Sequence, residues 1–258
     1  MTENEEYWHQ MLSEGNSVLD KGRAVLRLIP SDSRCMFCHG PFEGLGGRVM
    51  SVLGKGQARE DPRVCNSCVK QGQRHPGGAH VDVATVFADM RGSTPTAERI
   101  GDRAFSALID RFSKASSKVL IEANAIVGRL AGDQAIGYFV PGFAGPNYAQ
   151  AALDAAVELL RVTGHTDEVG PWIPLGVGVH AGNAYVGVVG SAGSTERTAL
   201  GDDINIGARL ADSAGVGEIL ASRQLTKLIG LRTDDLERRK LVLKGKSTPF
   251  EVAVIKPT

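Results

Sequence analysis

The sequence predicts an α+β protein. Its core is a ferredoxin-like βαββαβ fold with a C-terminal extension, and a small N-terminal helix and a four-cysteine metal-binding module precede that core. From about residue 80, β-branched apolar segments and amphipathic helical segments alternate in the order strand, helix, strand, strand, helix, strand. A Gly-Asp turn separates the second and third strand segments, as in a hairpin. All four cysteines lie upstream of this pattern in two C-x-x-C pairs.

The length and charge of the chain set broad limits on its organisation. At 258 residues it exceeds a typical single domain, which favours one larger domain with a small accessory module. It carries 29 basic and 29 acidic residues, so its net charge gives no argument for a nucleic-acid or membrane-surface partner. The N-terminus is acidic, and no segment approaches the roughly 20 apolar residues that span a bilayer. We therefore expect a cytoplasmic protein that binds neither nucleic acid nor a membrane.

Residues 1–30 are predicted to form an N-terminal amphipathic helix. Most residues from about Glu5 to Leu28 favour helix, and apolar residues recur at roughly helical spacing at Trp8, Met11, Leu12, Val18, Leu19, Val25, Leu26 and Leu28. Mixed charge flanks this stripe, so we expect it to pack on its own chain or on a partner subunit rather than on a membrane.

Residues 31–78 are predicted to form the metal-binding module. Cys35 and Cys38 form one pair, Cys65 and Cys68 form the other, and 26 residues separate the pairs. Paired thiolates on tight turns suit tetrahedral metal coordination, and in a reducing cytoplasm a metal is expected rather than two disulfides. Zinc is the first choice. An iron–sulfur cluster is the alternative, because four thiolates hold one equally well.

Residues 79–258 are predicted to form the core and its extension, after a break in regular structure at His75–Gly78. The predicted elements are, in order, a strand over Val81–Phe87, a helix from about Pro95 to Ala123, strands over Ala125–Ala131 and Gln134–Val140, a helix over Pro146–Val162 and a strand over Ile173–His180. In this topology the first strand lies antiparallel beside the third. The end of the first strand therefore meets the turn of the hairpin.

Two aspartates are expected to meet at this edge of the sheet. Asp89 follows the first strand, and Asp133 lies in the hairpin turn. Two carboxylates, with the carbonyl of Met90 as a further oxygen ligand, suit Mg²⁺ or Mn²⁺ ions that also bind phosphates. An aspartate after a strand is often only a helix cap, and a Gly-Asp turn is often only a turn. The pairing of the two in one topology favours a metal site.

A phosphate-binding helix N-terminus is predicted directly after the first aspartate. Gly92, Ser93 and Thr94 lead into a helix, where free backbone N–H groups bind phosphate. These residues are therefore predicted to hold the triphosphate of a nucleotide.

Residues from about 80 to 256 resemble the catalytic domain of the class III nucleotidyl cyclases, the adenylate and guanylate cyclase superfamily. The resemblance covers about two thirds of the chain. It is carried by six blocks in the family's order, which are Phe87-Ala-Asp-Met-Arg-Gly-Ser-Thr94, Gly132-Asp133, Gly176-Val-Gly-Val-His-Ala-Gly182, Gly187-Val-Val-Gly190, Ala199-Leu-Gly-Asp-Asp-Ile-Asn-Ile-Gly-Ala-Arg-Leu210 and Lys244-Gly-Lys246.

The resemblance implies a role for each matching residue. Asp89 and Asp133 would bind two metal ions, one activating the ribose 3′-hydroxyl and the other bridging the phosphates. Asn205 would orient the ribose, and Arg209, one helical turn later, would offset charge at the α-phosphate. Lys244 would bind the distal phosphates. The reaction would yield a 3′,5′-cyclic nucleotide and pyrophosphate.

The resemblance also implies a homodimer. In this family the metal aspartates come from one subunit, and the Asn and Arg come from the other. A chain that holds both sets implies two symmetric sites at the interface. The cyclic product would be read by a separate effector protein.

The two positions that read the base depart from the family's common pattern. Adenylate-forming members usually have Lys four residues before the second metal aspartate, and Asp or Thr seven residues before the ribose Asn. Guanylate-forming members commonly have Glu and Cys there, whereas this chain has Arg129 and Thr198. A planar guanidinium matches the carbonyl acceptors of uracil and cytosine, which favours UTP or CTP and resembles the bacterial branch that makes cyclic UMP or cyclic CMP in antiphage defence. ATP is the alternative, because Thr198 suits adenine and Arg129 also reaches ring nitrogens.

Two other classes of function fit the sequence less well than a nucleotide cyclase does. A catalytically inactive nucleotide-binding regulator would be expected to lack a metal aspartate or Arg209, and none of these is missing. A nucleic-acid-binding protein would need a basic surface with interleaved aromatic residues, and only residues 48–63 resemble one. The sequence therefore favours a nucleotide cyclase.

Overall fold

A single mixed sheet runs through the centre of the protein. The computed structural model describes residues 1–128, 132–191, 194–243 and 249–257, without the side chains of 189–197. The strands in these ranges are β1 Gly77–Met90, β2 Ile126–Val127, β3 Gln134–Phe139, β4 Leu175–Ser191, β5 Ser194–Leu200, β6 Ile219–Ser222, β7 Glu237–Leu241 and β8 Phe250–Ile255. Their order is β2-β3-β1-β4-β6-β8-β7, and β5 pairs with β4. The order of the first four strands is that of a βαββαβ core, so the predicted fold class is confirmed.

The helices cover the sheet and build the N-terminal part of the chain. They are α1 Glu3–Ser13, α2 Ser17–Arg27, α3 Gly44–Met50, α4 Asn66–Arg74, α5 Ser93–Ile100, α6 Asp102–Glu122, α7 Pro141–Ala144, α8 Tyr148–Val162, α9 Asp202–Ser213 and α10 Arg223–Leu228, with a π-helical turn at Ser51–Lys55. α8 packs on β1, and α9 packs on β4 and β1. In the described ranges, no helix is both long enough and apolar enough to cross a membrane.

The N-terminal segment forms two helices, so the prediction of one helix was wrong. Gly15, between α1 and α2, has a φ of 83°, which glycine adopts without the steric cost of a side chain. The side chain of Asn16 then accepts two backbone N–H groups and caps α2. Trp8 and Leu12 of α1 are buried in the same core as β1, so the stripe on α1 packs on its own chain.

Glycines also explain why β1 begins earlier than predicted. The His75–Gly78 segment was expected to break regular structure, yet β1 starts at Gly77 and pairs along its whole length with β4. A Cβ on Gly78 would lie 2.3 Å from the carbonyl oxygen of Val186. The glycine therefore permits a close approach of two strands rather than a turn.

Other boundaries differ from prediction in a similar way. The predicted helix over residues 95–123 is divided into α5 and α6 at Gly101, whose φ is 78°. The strand predicted over 125–131 is described only as β2, because residues 129–131 lie outside the description. β4 continues eleven residues beyond the predicted end at His180, to Ser191.

Glu218 links the C-terminal extension to the core. Its carboxylate is almost fully buried, and it accepts hydrogen bonds from Arg239 at 2.7 and 2.8 Å and from the N–H of Gly215 at 2.9 Å. The hydrogen bonds from Arg239 outweigh the effect of burial and lower the pKa of Glu218 to about 2. Because this pKa lies below that of the unfolded chain, near 4.5, the stabilisation is complete above pH 4.5 and is lost as pH falls towards 2.

We predict that Glu218→Gln lowers the free energy of unfolding at pH 7 by roughly 2–3 kcal/mol. The variant should also lose part of the wild-type dependence of stability on pH below 4.5. Urea unfolding at several pH values from 7 to 3 measures both effects. Glu251→Gln is the matched control, because Glu251 is half-exposed in its pairs with Arg223 and Lys240 and should contribute less than about 1 kcal/mol. Equal losses in the two variants would contradict the role given to Glu218.

Candidate active site and metal centre

The pairing of β1 with β3 brings Asp89 and Asp133 to one edge of the sheet. Asp89 lies opposite Gln134 in the antiparallel register. The N–H of Met90 donates to the carbonyl of Asp133 at 3.1 Å. Both aspartate side chains are half-buried, whereas Met90 is buried. The strand pairing predicted from the topology is therefore confirmed, and it brings the end of β1, with Asp89, beside Asp133, which directly precedes β3.

Arg91 also lies at this edge of the sheet, and no role was predicted for it from the sequence. Its guanidinium forms an ion pair with the carboxylate of Asp89 and donates to the carbonyl of Asp212, at the end of α9, at 3.0 Å. Burial lowers the pKa of Arg91, and the nearby Asp212 and Asp133 partly offset that shift. A cation two residues from a predicted metal ligand was the signal that could have identified it.

The predicted phosphate-binding residues lie directly after this ion pair. Gly92 has a φ of 67° and precedes α5, and its carbonyl accepts the N–H of Thr96 at 3.1 Å. Ser93 and Thr94 are the first residues of α5, where backbone N–H groups lack partners within the helix. Thr94 is exposed and Ser93 is half-exposed, so this helix end is open to a ligand.

The residues predicted to contact the ribose and the α-phosphate lie on α9. Asn205 is exposed and Arg209 is half-buried, one helical turn apart on the same face. Ser213 donates its hydroxyl to the carbonyl of Arg209 at 2.9 Å. Across the described ranges, no hydrogen bond or ion pair joins these two side chains to Asp89 or Asp133.

A buried histidine anchors the beginning of α9. His180 of β4 is fully buried, and its Nε2 lies 3.0 Å from the carboxylate of Asp203. The other carboxylate oxygen of Asp203 accepts the N–H of Asn183 at 2.8 Å. A Cβ on Gly182 would lie 2.2 Å from this carboxylate, so the approach requires glycine. These contacts hold the helix that carries Asn205, and sequence reasoning had quoted His180 without giving it a role.

The remaining predicted residues are only partly described. Thr198 lies on β5 opposite Gly187 of β4, and its side chain is half-buried. Arg129 and Lys244 lie outside the described residues.

The sheet edge offers a chemically suitable site for divalent ions. Two carboxylates supply hard oxygen donors, and the contact with Arg91 shows that the carboxylate of Asp89 accepts a positive charge at this position. Asp89, Asp133 and the carbonyl of Met90 are the residues that would hold such ions.

The four cysteines form a second candidate metal centre. Their sulfur atoms all lie within 4.8 Å of one another, and the sulfurs of Cys38 and Cys65 are 3.7 Å apart. Zinc with bonds of about 2.3 Å to four sulfurs would place them about 3.8 Å apart. The N–H of Cys65 points at the sulfur of Cys35 at 3.3 Å, and Cys65 caps α4. Burial raises the pKa of the Cys35 thiol, so a bound cation is the natural means of stabilising its thiolate there.

Structural comparison relates this sheet to known enzymes. The guanylyl cyclase Cya2 superposes with a TM-score of 0.62 at 21% identity, over 69% of this chain and 93% of that one. The adenylyl cyclase CyaB from P. aeruginosa has a TM-score of 0.59 at 23% identity, over 69% and 96%. The fold is that of a nucleotide cyclase catalytic domain. The non-canonical dimeric guanylyl cyclase domain of the RhoGC fusion protein from Blastocladiella emersonii has the same fold, with a TM-score of 0.57 at 16% identity over 69% of this chain and 98% of that one.

Sequence comparison finds relatives that are considerably longer than this chain. An uncharacterised protein of Mycobacterium tuberculosis is 27% identical over 168 residues, which are 65% of this chain and 30% of that protein. An adenylate cyclase of Anabaena cylindrica is 25% identical over 134 residues, or 48% of this chain and 26% of that enzyme. The chain thus spans less than a third of the length of these curated relatives. No protein-family model matches the sequence.

We predict that the purified protein carries one metal centre at its cysteines and that Cys65→Ser loses it. Elemental analysis measures the metal per chain, and visible absorbance distinguishes an iron–sulfur cluster from colourless zinc. Ser67→Ala is the control, because Ser67 is exposed within the same C-x-x-C turn and offers no thiolate. Full metal content in Cys65→Ser would rule out the four-cysteine site.

Proposed function

We propose that this protein is a nucleotide cyclase, which converts a nucleoside triphosphate to a 3′,5′-cyclic nucleotide and pyrophosphate. The observation that carries the proposal is the meeting of Asp89 and Asp133 beside the open N-terminus of α5. A divalent-metal site next to a phosphate site is what this reaction requires. The fold shared with adenylyl and guanylyl cyclases supports the same reaction class.

The proposed mechanism divides the work between two sets of residues. Asp89 and Asp133, with the carbonyl of Met90, would hold two Mg²⁺ or Mn²⁺ ions, which would supply activation of the ribose 3′-hydroxyl and charge neutralisation at the phosphates. The ribose 3′-hydroxyl gives its proton to solvent, its oxygen attacks the α-phosphorus, the bond to the β-phosphate oxygen breaks, and pyrophosphate leaves. Asn205 orients the ribose, and Arg209 offsets the charge that develops at the α-phosphate.

The β- and γ-phosphates, which lie beyond the reacting α-phosphorus, need their own contacts. The backbone N–H groups at Gly92, Ser93 and Thr94 bind the triphosphate, since they are unpaired at the start of α5. Lys244 binds the distal phosphates as a point charge.

The active site is proposed to form between two copies of the chain. Asn205 and Arg209 make no described contact with Asp89 or Asp133 of the same chain, although α9 reaches that edge through Arg91 and Asp212. A homodimer would supply the two sets to each site from different subunits.

The substrate is proposed to be UTP or CTP. Arg129, four residues before Asp133 in the sequence, is proposed to donate to the carbonyl acceptors of a pyrimidine, and Thr198 is proposed to complete the contact with the base. ATP is the second candidate, because Thr198 also suits adenine. We further propose that the enzyme acts in the cytoplasm and that a separate effector reads the product in antiviral signalling.

Incubation with each of the four nucleoside triphosphates and Mn²⁺ tests the proposal. We predict a cyclic product with pyrophosphate, preferentially from UTP or CTP, and at least about a hundredfold loss of the rate in Asp89→Ala. Asp110→Asn is the control, because Asp110 is exposed on α6 and pairs only with Lys114 among described residues. Absence of cyclic product from every nucleotide would refute the proposal that the protein is a nucleotide cyclase.

The role proposed for Arg129 is tested in the same assay. Arg129→Lys should shift the nucleotide preference towards ATP, and an unchanged preference would refute that role.

Mixing two inactive variants tests the shared site. We predict that Asp89→Ala and Arg209→Ala are each inactive, and that their equimolar mixture regains about a quarter of the wild-type activity after subunit exchange. The reason is that half of the dimers would be mixed and each would contain one intact site. Native mass spectrometry verifies the exchange, and mixed dimers without activity would contradict the shared site.

A further inference from the structure

β2 is a short edge strand that ends six residues before Asp133. In the described part of the chain it pairs with β3 alone, through Ile126 and Val127. Carbonyl groups on the outer side of an edge strand lack a strand partner. The position of β2 therefore depends on what holds that outer side.

Arg63 of the cysteine module occupies the outer side of β2. Its Nη1 donates to the carbonyl of Val127 at 3.2 Å and also to that of Gly128. Asp61 fixes the guanidinium by accepting from Nε at 2.8 Å and from Nη2 at 3.1 Å. Asp61 and Arg63 are 12% and 20% exposed, so this fork-like pair is largely shielded from water.

The backbone of Arg63 is fixed by both cysteine pairs. Its carbonyl accepts the N–H of Met36, between Cys35 and Cys38, at 2.9 Å. Cys65 follows only two residues later. An ion that joins the two cysteine pairs would thus also fix the point from which Arg63 reaches β2.

The other end of β2 is tied to the same module. Arg27 donates to the side chain of Asn124 at 2.7 Å and to the carbonyl of Glu122 at 2.8 Å, in the turn before β2. Its Nε donates to the ring of His39 at 3.3 Å, and His39 is a buried residue next to Cys38.

We propose that Arg63 is a positioning residue, through which the metal-bound cysteine module holds β2, the strand that precedes Asp133 in the chain. This inference rests on the proposed metal-binding function of Asp133. Loss of the ion from the cysteines would release Arg63, loosen β2 and lower cyclase activity. The module would thereby make the enzyme sensitive to its metal content.

Hydrogen exchange and kinetics of Arg63→Ala test this proposal. We expect the amides of the segment 126–134 to exchange about tenfold faster, since a charged donor to buried carbonyls is lost. We also expect kcat/KM for the preferred nucleotide to fall about tenfold, with the metal content unchanged. Arg63→Lys should recover part of both losses, because it keeps one charged donor. Arg59→Ala is the control, an exposed arginine of the same module.

Release of the ion from the cysteines with an organomercurial thiol reagent provides the second arm. In the wild-type protein it should raise exchange in the segment 126–134 to the level of Arg63→Ala, while in Arg63→Ala it should add little there. Wild-type exchange in Arg63→Ala, or loss of its metal, would overturn the positioning role. If the wild-type protein makes no cyclic nucleotide, the proposed function fails, and the exchange results alone decide whether Arg63 holds β2.

Discussion

The antiparallel pairing of β1 with β3 is the interaction on which the candidate site depends. The register sets Asp89 opposite Gln134 and the N–H of Met90 against the carbonyl of Asp133, so a slip of one residue would break this hydrogen bond and turn the side chains of one strand to the other face of the sheet. Buried residues on both strands, such as Val86 and Ala135, oppose such a slip because it would expose them to water. The same residues that stabilise the sheet therefore place the two carboxylates, and no separate device is needed to bring them together.

The second set of residues depends on the placement of α9. His180 and Asp203 connect a fully buried position on β4 to the first turn of this helix, and Arg91 connects its last turn to the sheet edge. A helix held at both ends is a rigid support, which is what the roles proposed for Asn205 and Arg209 require. Asn205 and Arg209 lie between these two attachments.

The sequence was sufficient for features that follow from periodicity and spacing. The strand order, the meeting of Asp89 with Asp133 and the cluster of cysteines all follow from such patterns. It was insufficient where glycine can serve either of two structural roles. Gly101 breaks a helix and Gly78 allows two strands to approach closely, yet both look alike in the local sequence. It was also silent on Arg63, because contacts across 64 and 65 residues leave no periodic trace in the chain.

The contact of Arg63 with β2 has a further consequence for assembly. An edge strand with free carbonyls is a template on which a strand of another molecule pairs, and this leads to open-ended association. Here a guanidinium occupies the carbonyl of Val127 on β2 and that of Gly128 directly after it, and a side chain cannot continue a ladder as a strand would. This end of the sheet is thereby protected from uncontrolled growth by strand pairing.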